Sequence, residues 1–483
     1  MNQVLALLAC LFAFSAATPA SLPTDLRGAD LVADEAILQE AYATLHPGLY
    51  RYNTVAEMAA RFMALRATLN HDQGLGDAFL AFTRFTASLE CGHSYPNFYN
   101  QPADIARALF QREDRVPFYF RWIDRQMVVT KNLSTDERLT PGTQILTLNG
   151  VPVASILDAL LPLARADGSN TAKRVDELGV LGSDRYEAFD IYYPLVFPLR
   201  GAIYHIEAKA YRGASFASDV PALTYEERIA PIEASLHAAT GDMPLWTLQV
   251  LDAKTAYLKM PTWETYNSKW DWKANIDAVF SELRVRAIKH LIIDIRGNEG
   301  GTEVGDAILA HLTQAPLKRA AFSRLIRYQS VPDTLRPYLD TWDPSFFTLG
   351  VGATRVDARY FRLPDDANAV LPDAPYFDGS VAVLVDAADS SATFQFAYDI
   401  QRNHLGTLIG SPTGGNLRGI NGGAFFFVRL PHSHIEVDLP LIGTFPDQAA
   451  PDRGLEPDIR VDQTIESIAR GQDLALRAAT ALP

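Results

Sequence analysis

The chain has 483 residues, 48% of them hydrophobic and 21% charged, which is the composition of a folded globular protein and excludes a disordered or fibrous one. That length exceeds one ordinary domain, so two or three units are expected. A formal net charge of -14 argues against nucleic acid as a partner, because such binding rests on lysine and arginine neutralising phosphates.

In chain order, the first segment, MNQVLALLACLFAFSAATPASLP, is apolar from Val4 to about Ala17 and then turns small and prolyl. This is the shape of a secretory signal peptide over residues 1–20. The expected location is therefore outside the cytoplasm, periplasmic or secreted, with lipidation at Cys10 the minor reading. No later stretch approaches the roughly 18 apolar residues needed to span a bilayer. Of the two cysteines, Cys10 lies in the leader, which leaves Cys91 without an internal disulfide partner. Cys91 and His93 have no CxxC or HExxH companions, so a metal site is not expected there.

Between Asp30 and Leu89 apolar residues recur at three- and four-residue steps in three runs, separated by Pro47-Gly48 and by His71 to Gly76. A helical cap over 21–100 is predicted. The period then shortens to strand-like runs, PFYFRWI, QMVVTKNL and TQILTLNGVPV, with turn chemistry at Pro141-Gly142 and Asn149-Gly150. A β-rich module over 101–215 follows. The segment LVFPLRGAIYHIEAKAYR reads as further strand, and 216–245 as a connector without a chemical motif. From Trp246 to the C-terminus, strand, helix and strand alternate, with HLIIDIR, VAVLVDA and TLIG as strands, the order of an α/β layer. The stretch 328–377, rich in proline and aromatics, interrupts this layer and reads as a flap.

Three places carry chemistry. HLIIDIR runs into Gly297-Asn298-Glu299-Gly300-Gly301, where missing Cβ atoms let backbone N–H groups approach a ligand. Asp389-Ser390-Ser391-Ala392-Thr393-Phe394 opens a helix, where the N–H groups of the first turn lack intrahelical acceptors and can face developing negative charge; a serine there can equally be an ordinary N-cap. Glu90-Cys91-Gly92-His93-Ser94 puts a histidine, which titrates near neutrality, in a turn after the cap. Spacing alone does not choose between Ser390 and Ser391.

Together these segments resemble the C-terminal-processing, or tail-specific, serine peptidases, a family that includes the tricorn core and the repeats of the interphotoreceptor retinoid-binding protein. LIIDIRGNEGG is similar to the family's strand and glycine turn, SSATF to its nucleophile segment, GTLIGSPTGG to the strand that follows, GLEPDIRV to a terminal segment and LECGHSYP to its histidine loop. LTPGTQILTLNGVPV is similar to a stretch of a PDZ-like domain.

The resemblance implies an α/β fold with a crotonase/ClpP-like catalytic core over 246–483, behind the helical cap and a PDZ-like module. It implies Ser391 as nucleophile, with the N–H groups of Gly300 and Ala392 as oxyanion donors and Gly301, Gly414 and Asn416 beside the substrate. The serine-lysine branch carries a lysine where this chain has Asn416, so His93 is the implied base, as in the tricorn-like branch, with Glu456 as its orienting carboxylate. Phe394 stands where the family usually has glutamate, and Cys91 where it usually has aspartate. The implied reaction is hydrolysis of a peptide or protein substrate through an acyl-enzyme, without metal or organic cofactor. The alternative is a silent binding protein for a hydrophobic ligand or peptide on the same scaffold. Oligomeric state is not legible.

The leader yields the first expectation that can be checked. N-terminal sequencing of exported protein should begin after about Ala17 to Ala20; a chain that still starts at Met1 would contradict it.

Overall fold

The computed structural model describes residues 25–239, 246–266, 268–318, 322–364 and 369–482. The leader expected over residues 1–20 lies outside the described residues. Among those described, no helix is long and apolar enough to cross a membrane.

The cap consists of helices Gly28–Leu45, Val55–Leu69 and Leu75–Ala87. Leu31, Leu38, Tyr42 and Leu45 make one buried stripe on the first helix, at the three- and four-residue steps that bring side chains onto one helical face. Thr54 and Glu57 close a reciprocal capping box that starts the second, satisfying donors that a bare helix end leaves orphaned. Phe79, Phe82 and Phe85 carry the buried face of the third.

The next unit is a six-stranded antiparallel sheet, in which the two-residue strand Val151–Pro152 pairs beside five longer ones. In chain order the five longer strands are Phe118–Ile123, Gln126–Asn132, Gln144–Leu148, Ile203–Lys209 and Ser215–Pro221. Asn149 and Gly150 both take positive φ, 52° and 78°, as a two-residue hairpin turn requires. Two expectations change here. The chain around Leu195 is the end of a helix, Ala188–Val196, and strand begins only at Ile203; Phe189, Tyr192 and Tyr193 are buried at helical spacing, so tertiary packing overrides their strand propensity. The expected boundary at 215/216 also falls inside the last strand, which pairs with Ile203–Lys209 along its whole length.

The α/β layer is a six-stranded sheet. Strands Ile459–Arg460, Thr407–Gly410, Ser380–Val385, His290–Asp294 and Thr255–Lys259 run parallel in that spatial order, and Thr247–Val250 adds an antiparallel edge. Every residue of His290–Asp294 is buried, the near-continuous apolar pattern of a strand covered on both faces. Helices Trp272–Val285, Val304–Leu312 and Ser391–Arg402 share one core with one face of the sheet. Leu474–Thr480 supplies Ala475 and Ala479 to the other face.

One architectural feature departs from the expected single layer over 246–483. Asn421–Arg429 and Glu436–Pro446 leave the parallel sheet and pair with each other. They gather Phe322–Ile326 and three short strands of the expected flap, Leu339–Asp340, Thr354–Arg355 and Phe361–Arg362, into a separate antiparallel sheet. The buried side of this sheet, including Phe426, Val428, Val437 and Leu439, belongs to the same apolar cluster as the N-terminal cap. Polar contacts bind the two as well: Tyr42 donates to the carbonyl of Asp438 at 2.6 Å, and Asp34 accepts the N–H groups of His432 and Ser433. The flap is thus stitched into a sheet that holds the cap, and the cap in turn holds the histidine loop.

Candidate active site

The nucleophile segment starts where strand Ser380–Val385 ends. Ser390 occupies the N-cap position of helix Ser391–Arg402 but makes no capping bond through its side chain; its hydroxyl donates to the carbonyl of Glu299 at 3.3 Å. Ser390 is therefore not the ordinary N-cap that a serine in this segment could be, because its oxygen is turned toward the glycine turn. Ser391 is half-buried and takes φ of 52°, a left-handed conformation that costs a residue with a Cβ of order 1–3 kcal/mol and recurs where geometry serves function.

The glycine turn lies directly against this serine. A Cβ placed on Gly300 would come within 2.8 Å of the Ala392 nitrogen and 3.0 Å of Ser391 Cβ, so only glycine permits the approach. Gly301 is equally confined, by the backbone of Trp263. Asn298, fully buried, donates to the Met260 carbonyl and accepts the N–H of Gly300 at 2.9 Å. Of the two expected oxyanion donors, Ala392 keeps an N–H in the first helical turn, where no intrahelical acceptor exists. The Gly300 N–H is committed to Asn298 in this conformation.

His93 sits in the loop that follows the cap. Burial lowers its pKa below the ordinary value; Asp167 pulls it back, Arg165 pushes it down again, and Glu299 and Lys173 act with smaller effect. Its Nδ1 is buried without a hydrogen-bond partner among the described residues. No hydrogen bond joins His93 to Ser391 among the described residues; such bonds are often long in an empty site and tighten around substrate. Asp167 accepts the N–H of Gly92 at 3.0 Å, and His46 reaches Ser94 at 2.9 Å, which fixes the backbone on both sides of the imidazole.

A charged bridge links this loop to the glycine turn beside Ser391. Arg165 donates to the Gly92 carbonyl at 2.8 Å and to Glu299 at 2.9 Å. Lys173, whose side chain is 3% exposed, donates to Glu299 at 2.5 Å and to the Ala388 carbonyl at 3.2 Å. Burial alone would raise the pKa of Glu299, but Lys173 and then Arg165 hold it well below the carboxylate range. Arg165, Asp167, Lys173 and Glu299 were not expected from the sequence. The first three lie in segments without a motif, and a lone charged residue in such a segment carries no sequence signal.

Several expected roles do not survive the geometry. Glu456 is 46% exposed and pairs with Arg453 and Arg460 at 3.7 and 3.8 Å, whereas the carboxylates acting on His93 are Asp167 and Glu299. Gly414 does not offer its N–H to a substrate, since it donates to Asp389 at 2.8 Å. Asn416 is fully buried and donates to the Asp167 carbonyl and to Asp452, so it braces the segment behind His93. Gly301 serves close packing on Trp263. Phe394 is buried, stacks on Tyr398 and lies against Gly415, a packing role in place of a carboxylate.

Against this geometry the comparisons are informative. Residues 254–461 match the family model of Peptidase family S41. The chain carries an S41 peptidase domain. The parallel strands, the glycine turn and the Ser391 helix all lie inside the matched S41 region. Among solved structures, mature CPAF complexed with lactacystin superposes with a TM-score of 0.65 at 14% identity, covering 94% of this chain and 97% of that one. Mature CPAF gives 0.63 at 14% identity, covering 92% and 94%. These likenesses speak for the fold. The photosystem II D1 C-terminal processing protease aligns at 14% identity over 92% of this chain and 98% of its own, with a TM-score of 0.40. No curated protein sequence matches the chain.

The charged bridge yields a stability prediction. Glu299→Gln leaves the Lys173 ammonium buried against one carbonyl. Breaking a fully buried pair from one side costs about 3–5 kcal/mol, and solvent reaches Glu299, whose side chain is 43% exposed, so a loss of about 1–3 kcal/mol in denaturant unfolding is expected at pH 7. A folded-state pKa depressed below the unfolded one stabilises above the unfolded value, about 4.3. The gap between wild type and variant should therefore be complete near neutrality and close as pH falls below about 4; equal stabilities at pH 7 would refute the bridge.

Proposed function

We propose that the S41 domain hydrolyses peptide bonds through an acyl-enzyme on Ser391, with His93 as general base and acid. Ser391 Oγ attacks the scissile carbonyl carbon while His93 takes its proton. The tetrahedral oxyanion is held by the N–H of Ala392 and by that of Gly300 once it turns from Asn298 Oδ1 to the substrate. Collapse breaks the C–N bond, and His93 returns the proton to the leaving amine. Water, deprotonated by the same imidazole, then attacks the acyl carbon and frees Ser391.

The observation that carries this reading is the Arg165 contact to both Gly92 and Glu299. It ties the backbone beside His93 to the turn that abuts Ser391, so base and nucleophile share one rigid frame. A lysine base is disfavoured by the same contacts: Asn416 occupies the family position, and Lys173 directs its donors at Glu299 and Ala388. The antiparallel module over 118–221, read as PDZ-like, would bind an extended peptide or its C-terminus by strand addition. The reaction would take place outside the cytoplasm, given the leader.

One observation favours a second reading. Trp342, 59% exposed, stands 5.9 Å from Phe425 and 5.8 Å from Phe427, and Phe425 is 5.9 Å from His93. Such an aromatic strip beside the histidine also suits a bound apolar ligand.

A fluorophosphonate probe separates the two. Wild type should label, Ser390→Ala should label comparably, and Ser391→Ala should not label at all. His93→Ala should label at least about a thousandfold more slowly, because members of a nucleophile-base unit fail together. A folded wild type that never labels, and that releases a stoichiometric apolar compound into organic solvent, would replace the peptidase reading with the binding one.

A further inference from the structure

At the opposite end of the parallel sheet from Ser391, three metal-competent side chains converge from three different elements. Asp277 lies on helix Trp272–Val285, His311 on the last turn of Val304–Leu312, and Asp373 on the segment that returns from the flap to strand Ser380–Val385. One ligand atom of each lies within 4.8 Å of the others. His311 is 1% exposed and stacks on Phe280 with ring centroids 4.3 Å apart, which leaves its imidazole one dry wall and no freedom to turn away.

The two ring nitrogens of His311 pose a chemical problem. Nδ1 is 3.0 Å from the carbonyl oxygen of Pro375, and Nε2 is 3.1 Å from Asp277 Oδ1. A carbonyl can only accept, so Nδ1 carries the hydrogen and donates it. A neutral ring then presents a lone pair at Nε2 to a carboxylate oxygen, and two acceptors do not sit at that distance without a cation between them. A proton can fill that place, and so can a metal ion. The second carboxylate, from Asp373, supplies the third ligand that a metal ion needs and a shared proton does not. Neither Asp277 nor Asp373 pairs with a lysine or arginine among the described residues, so one imidazolium would be set against two acidic groups.

We propose that Asp277, His311 and Asp373 form a binding site for a divalent cation of the zinc class. One imidazole and two carboxylates are a borderline nitrogen and oxygen set that suits zinc and its neighbours better than calcium or magnesium, which prefer oxygen alone. Two ligands about 2.0–2.1 Å from a tetrahedral zinc lie about 3.3 Å apart, close to the spacing Nε2 and Asp277 already have. The Nδ1–H bond to a backbone carbonyl is the outer contact that fixes the tautomer of metal-binding histidines. The third ligand is delivered by backbone pairing: Asp373 N donates to Ala310 at 2.9 Å and Phe377 N to His311 at 2.9 Å. With three protein ligands the fourth position falls to water. Bound there, the cation joins the helix layer to the root of the flap and stabilises the segment that enters the nucleophile strand.

The test uses the full mature chain without a polyhistidine tag, stripped with chelator and titrated with zinc chloride by calorimetry, with thermal unfolding in parallel. One equivalent of zinc should bind and raise Tm, and magnesium or calcium at the same concentration should not. Asp277→Asn and Asp373→Asn change exposed side chains and should leave the fold intact, yet each should weaken zinc binding at least about tenfold and remove most of the Tm gain. His311→Gln, if it folds, should abolish both. Absence of stoichiometric binding would overturn the proposal, as would zinc binding that both aspartate variants retain. A Tm that falls between pH 6 and 8 irrespective of zinc would assign the cluster to a protonated histidine and overturn it equally.

Discussion

Lys173 carries an ammonium on a side chain that is 3% exposed, and the carboxylate of Glu299 is what makes that burial tolerable. An unpaired charge at such a position would cost several kcal/mol. Glu299 belongs to the glycine turn, so satisfying Lys173 also fixes the turn whose next residue, Gly300, touches Ser391. The other carboxylate oxygen of Glu299 takes Arg165, which grips the backbone immediately before His93. One acidic residue thus connects the parallel sheet, the antiparallel module and the histidine loop, which come from three distant parts of the chain.

The remaining architecture serves that convergence. The parallel sheet aims the glycine turn and the Ser391 helix from the carboxyl ends of neighbouring strands, His290–Asp294 and Ser380–Val385, where open α/β sheets form their crevices. The cap brings His93 in from the side, and the antiparallel sheet that absorbed the flap holds the cap in place. Asn298 adds a detail of the resting state. It accepts the Gly300 N–H, so on the proposed mechanism that donor would reach a substrate oxygen only by leaving the amide.

Much of this was legible in the sequence, for identifiable physical reasons. Helices of the cap declared themselves by period, the parallel strands by unbroken apolar runs, and the glycine turn and Ser391 by a motif whose residue types the chemistry dictates. The separate antiparallel sheet was not legible, because Asn421–Arg429 and Glu436–Pro446 alternate like any strand and nothing local says which sheet they join. Arg165, Asp167 and Lys173 were silent, since contacts between residues 70 or more positions apart leave no local signature. Glu456 shows the converse error: its motif sits at the expected place, but two arginines claim its carboxylate.

The central claim is that a half-buried imidazole, and not an amine, activates Ser391. The direct measurement is the pH dependence of kcat/KM on a fluorogenic peptide, which reports the essential base of the free enzyme. Burial lowers the pKa of His93, and the base works when neutral, so activity should be sustained on the acid side of neutrality and fall with a midpoint below the ordinary histidine value of about 6.5. A rate that instead climbs through the alkaline range, with its midpoint above about 8, would identify an amine as the base and contradict the account.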